Sequence, residues 1–148
     1  MLQRPPERLS DFAGRLLRHE TESAGRADEL AAGFERVCRA LHDQLAPLIS
    51  SSGYQTLFAR ALTLAARDFP FLAPVSISSN GDCAVSGLAG VTETRDPSEI
   101  ADAFTAVLAH FMWLLVIFIG ENLGLGKVRE IWPDVPLDSV NPSSGAGT

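Results

Sequence analysis

The chain has 148 residues, a net charge of −6 and a pI near 4.9. Hydrophobic residues make up 46% and charged residues 20%, which suits a single globular domain and excludes a disordered chain. Lys127 is the only lysine and no Lys/Arg cluster occurs, which excludes the basic stripe that nucleic-acid binding requires.

Residues 1–6 contain Pro5 and Pro6 and are expected to be flexible. "MLQRPPERLSDF" has no apolar signal core, so a cytoplasmic protein is expected. A first helix is predicted from Glu7 to about Glu20, because Leu9, Phe12, Ala13, Leu16 and Leu17 recur at spacings of three and four. "ETESAGR" breaks it, with Ser23 or Thr21 as the expected N-cap of the next helix.

A second helix is predicted over about 26–50. Leu30, Phe34, Val37, Leu41, Leu45 and Leu48 form a narrow seam of the kind that packs in bundles. Pro47 predicts a kink or an end near Ala46. Cys38 lies beside the seam and is expected to be a buried thiol. Cys38 and Cys83 lack the spacing and the histidine neighbours of a zinc site, and no metal or cofactor motif is identified.

"SSSG" at 50–53 reads as a turn, followed by a third helix from Tyr54 to about Asp68. "FPFLAP" ends that helix and offers Phe69, Phe71 and Leu72 as an apolar plug. "VSISSNGDCAV" alternates around Asn80-Gly81 and predicts a small β-hairpin, the alternative being an irregular insertion. Asp96, Pro97 and Glu99 predict a capping box at the start of the last long helix, about 97–120. "ENLGLGKVREIWPDVP" then predicts a hinge and a short docking helix, and residues 136–148 a flexible tail. The expected fold is mainly α: one antiparallel bundle of about four helices over 7–135, with the hairpin inserted before the long last helix.

Ala103 to Ile119 has no formal charge and reaches the lower length limit of a membrane span. Its flanks are acidic and Trp113 sits mid-run, so a helix buried on nearly all sides is the preferred reading. Three other helices are few to cover it, and the surplus apolar surface predicts a homodimer or a protein partner. Leu115, Phe118, Leu123, Leu125, Val128, Ile131 and Trp132 are its candidate interface residues. "GLGK" is no phosphate loop: Gly120 and Gly126 are wrongly spaced, Val128 follows Lys127, and a helix precedes it.

Two further sites follow from single side chains. A pocket between helices, lined by Phe58, Phe104, His110 and Trp113, would suit a small ligand. Asp102 lines up with His110 two turns away, leaving any further ligands to come from another element.

"LHDQLAPL" at 41–48 places an acid after His42 and a proline five residues on. It resembles the phospho-acceptor box of sensor histidine kinases, although Gln44 and Leu45 stand where that box has leucine and arginine, and no glycine-rich ATP-binding domain is present. The resemblance implies a phosphotransfer bundle, and helix geometry, at about 100° per residue, places His42 at the edge of the seam, a position that permits partial exposure. No serine, cysteine or carboxylate arrangement in the sequence points to a nucleophile, so the leading expectation is a non-catalytic interaction or regulatory domain.

Overall fold

The computed structural model describes residues 5–21, 26–78 and 84–135. The tail at 136–148, most of the N-terminal segment, Ser23, Cys83 and the Asn80-Gly81 turn fall outside them. The fold is mainly α with one small two-stranded sheet, as the periodicities predict.

Helix α1 (Glu7–Glu20) buries the five residues expected of it: Leu9, Phe12, Ala13, Leu16 and Leu17. It ends at Thr21, whose backbone is extended and whose hydroxyl donates to the Leu17 carbonyl at 2.6 Å. Thr21 therefore closes α1 rather than capping the next helix; its hydroxyl satisfies a carbonyl that the helix end leaves open. A Cβ at Gly33 would run into that hydroxyl and approach the Glu20 carbonyl to 3.2 Å, so glycine lets the two elements meet here.

Helix α2 (Ala27–Ala66) contains a break at Ser50, with φ 71 and ψ 160. A continuous helix would separate Phe34 and Phe58 by about 36 Å at 1.5 Å per residue. Their ring centroids are 6.0 Å apart, and Tyr54 Oη donates to the Cys38 carbonyl at 2.8 Å. The arms 27–49 and 51–66 thus run antiparallel, and the chain reverses within one residue instead of the expected four. The first arm passes through Pro47 without ending near Ala46. Proline forfeits the amide bond to Asp43 and the arm stops at 49, so little helix is lost beyond it.

A 3₁₀ turn (Pro70–Leu72) plugs the end of α2 with buried Leu72, while Phe71 lies under the Arg95 guanidinium, 4.8 Å from the ring centre. Strands β1 (Ser76–Ser78) and β2 (Ala84–Ser86) pair antiparallel, with Ile77 opposite Val85. Gln55 donates to the Ile77 carbonyl at 3.2 Å and ties the hairpin to α2. A short helix α3 (Leu88–Thr92), absent from the sequence reading, buries Leu88 and Val91. Five residues give too little periodicity to be read in advance.

Helix α4 (Pro97–Ile119) starts with the expected capping box, in which the Asp96 amide donates to Glu99 Oε1 at 3.4 Å. It runs through the centre, against α1 and both arms of α2. Phe104 stacks on Phe34 with centroids 4.3 Å apart, and Phe111 meets Tyr54 and Phe58, each at 5.3 Å. Gly120, at φ 93 and ψ 156, breaks the chain, and α5 (Glu121–Ile131) folds back so that Gly124 packs on Leu115. The far end of α5 is fastened to α1: Trp132 Nε1 donates to Glu20 Oε2 at 2.9 Å. Arg36 holds the same corner from α2, donating twice to the Glu20 carbonyl.

Candidate functional site

The aromatic contacts set the direction of α4. Phe104 lies level with Phe34, and Phe111 lies level with Tyr54, four residues from the Ser50 reversal. The remaining turns of α4 advance about 12 Å further the same way. They emerge at the end of the bundle where α2 reverses. Two chain reversals, Ser50 and Gly120, therefore share one end of the molecule.

That end has a distinctive surface. Among the described residues the exposed large hydrophobics are Leu48 (41% exposed), Ile117 (53%), Phe118 (62%) and Leu123 (45%). Leu48 lies two residues before Ser50, Ile117 and Phe118 lie in the last turn of α4, and Leu123 lies in the first turn of α5. No Asp, Glu, Lys or Arg occurs from Gln44 to Ala59 or from Ala103 to Gly120, so Glu121 is the nearest formal charge on the α4–α5 corner. The two uncharged runs are far apart in sequence and meet only because both reversals fall here.

The expected interface residues divide accordingly. Leu115, Leu125, Val128 and Trp132 are buried inside the chain itself, used in packing α5 onto α4 and onto the α1 corner. Ile131 is half-buried. Phe118 and Leu123 are the two that remain open. Leu48, expected in the buried seam, is exposed because its arm ends one residue later and the returning arm turns away. Ile117 was missed: it lies in an apolar run in which helical spacing marks no outer face.

His42 is buried, at 7% exposure, which corrects the expectation of a partly exposed phospho-acceptor. Its Nε2 lies 3.1 Å from Ser51 Oγ, its Nδ1 lies 3.5 Å from Asp43 Oδ1, and Tyr54 meets its ring edge-on at 5.1 Å. Ser51 and Tyr54 belong to the returning arm, so the tight reversal at Ser50 is what covers the imidazole. Through Ser51 and Tyr54, His42 joins the two arms.

Of the four expected pocket residues, Phe58 and Phe104 both meet Phe34, with ring centroids 6.0 and 4.3 Å from it. Phe58 and Phe104 are fully buried in the aromatic core, and Trp113 is half-buried. His110 lines a cleft of about 560 Å³ between α1, the end of α2 and α4, with Glu7, Asp68, Phe69 and Asp102. The partners for Asp102 and His110 thus come from α1 and the end of α2, which helical spacing along α4 could not reveal. Among the described residues no three His, Cys, Asp or Glu side chains converge as a metal site.

Helix α4 is long and apolar enough to cross a membrane, with a mean hydropathy of 2.0 over its best window, but 56% of that window is buried within the fold. Comparison with protein-family models, curated proteins and solved structures finds no match.

Proposed function

We propose that this chain is a non-catalytic docking domain that engages another surface through the Ser50–Gly120 end of its bundle. The reading is supported by one observation: Leu48, Ile117, Phe118 and Leu123, from three segments, are the exposed large hydrophobics among the described residues, and all four lie beside the two reversals. Scattered apolar residues are normal on a monomer, whereas exposed apolar side chains gathered at one end suit an interaction site. The self-association expected of the last helix narrows to this end, since most of that helix's apolar face is spent inside the chain.

Stability tests the reading. Docking residues contribute little to the free fold, so a Phe118→Ser/Leu123→Ser variant is expected to melt within about 0.5 kcal/mol of wild type. It should also bind less of a hydrophobic dye. A loss of about 2 kcal/mol or more would place both side chains in the core and remove the proposed surface.

A second reading, a site for a small cationic ligand, is supported by the cleft that gathers Glu7, Asp68 and Asp102 around Phe69 and His110. Diamines at millimolar concentration should then raise the melting temperature of wild type but not of Asp102→Asn. An unchanged melting temperature in both proteins removes this reading.

A further inference from the structure

Resting on the docking reading, we infer that the Ser50–Gly120 end dips into the surface of an uncharged lipid bilayer, as a reversible peripheral contact rather than a span. Three observations support this: the area of the patch fits a one-chain anchor, and its shape and charge favour lipid over a second copy of the chain.

The first is area. With about 200 Å² for a fully exposed large apolar side chain, the four residues together offer ~400 Å². A standard dimer interface buries about 800 Å² per partner, a little over half of it apolar, so area alone does not separate a second copy from lipid. One acyl chain of about a dozen methylenes, at ~30 Å² each, presents a similar area and gives reversible membrane binding. The patch is therefore sized for an anchor of marginal strength.

The second is shape. Ile117, Phe118 and Leu123 stand on the corner where α4 gives way to α5, and Leu48 stands beside the other reversal. Helix ends and tight turns protrude. A protruding apolar tip enters a fluid phase without needing a matching cavity, whereas a second copy of the same tip offers none.

The third is charge. Among the described residues around the two reversals, Glu121 is the nearest acid on the α4–α5 corner, and the nearest base, Lys127, lies one turn beyond Leu123 and pairs with Glu130 at 3.8 Å. Anionic headgroups find little positive charge there. Ser52 and Asn122, both exposed, supply uncharged hydrogen-bonding groups beside the two reversals. A full span is opposed by the burial of Phe104, Val107, Leu108 and Phe111 against α1 and α2, which crossing would have to expose.

Flotation with vesicles of phosphatidylcholine alone tests the inference, using the full chain, its Phe118→Ser/Leu123→Ser variant and sedimentation velocity on both. Half of the wild type is expected to float at on the order of 0.1 mM accessible lipid, matching a one-chain anchor. The double variant should need at least tenfold more lipid while keeping its helical circular dichroism. Neither 0.5 M salt nor added phosphatidylserine should strengthen binding.

Failure of the two readings is distinguishable. If wild type ignores the vesicles but self-associates, and the variant sediments as a monomer, the lipid inference falls and docking stands with a second copy as occupant. Flotation that requires phosphatidylserine and disappears in salt also overturns the inference, because charge would then be acting from another face. If neither protein floats or self-associates, the lipid inference is overturned, and the docking reading is decided by the stability and dye-binding measurements on the same variant.

Discussion

The chain turns back on itself twice at the same end of the bundle, with almost the same backbone. Ser50 has φ 71 and ψ 160, and Gly120 has φ 93 and ψ 156. This region of backbone space is nearly reserved for glycine and costs another residue about 1–3 kcal/mol. Gly120 occupies it without strain but gives α5 no side-chain cap. Ser50 accepts the strain, and its Oγ receives the Gly53 amide at 3.0 Å, capping the second arm. A serine cap contributes about 0.5–2 kcal/mol, so it offsets part of the cost and not all of it. The remainder must come from packing across the reversal. One turn is therefore made by the residue that sits in it, and the other is imposed by the arms it joins.

The largest expected effect tests that imposition. Tyr54→Ala removes the ring that touches His42, Phe58 and Phe111 and the hydroxyl that bonds the Cys38 carbonyl. Denaturant unfolding should show a loss of about 3–5 kcal/mol. A loss below 1 kcal/mol would mean that the Ser50 turn holds without its arms.

Gly120→Ala comes next, at about 1–3 kcal/mol, all of it backbone strain, since a Cβ there meets nothing within 4 Å. Gly120→Ser should cost less than Gly120→Ala, because a hydroxyl can cap α5 as Ser50 caps its arm. Equal losses in the two would break the analogy between the turns.

Ser50→Ala keeps the strain and removes the cap, for an expected loss of about 0.5–2 kcal/mol. Ser50→Gly keeps the turn and releases the strain, while losing only a few tenths for the cap. A gain of about 1 kcal/mol is expected. The pair is decisive by sign: thermal melts should move in opposite directions, and a fall in both would show that Ser50 is unstrained.

The same contrast explains what could be read from the sequence. The Gly120 break, the Asp96–Glu99 cap and the face of α1 were legible because each is settled by residues a few positions apart. The sequence places the Ser50 break within "SSSG" as a four-residue turn, and glycine is the residue that adopts unusual backbone most readily. In the fold Gly53 is helical, and serine takes the strained position because its oxygen lies within reach of an amide three residues on.

The burial of His42 was out of reach for a related reason. Helical geometry put it at the edge of its own arm, and only the returning Ser51 and Tyr54 close over it. The exposed tip was hidden in the opposite way. Ile117 and Phe118 belong to a run that is apolar on every side, so spacing cannot say where the neighbouring helices stop.

The bond from Trp132 to Glu20 joins residues 112 positions apart. Phe34–Phe104 and Tyr54–Phe111, by contrast, join helices that packing of the α2 arms already brings together. Local hairpins close quickly, and distant pairs wait until the intervening chain is ordered. The indole is therefore a clasp that reports completion of the fold. With Trp113→Phe leaving Trp132 as the single tryptophan, its fluorescence should lag behind helix formation in refolding. The same clasp should open first in native-state exchange, freeing α5 from α1 before the bundle itself unfolds.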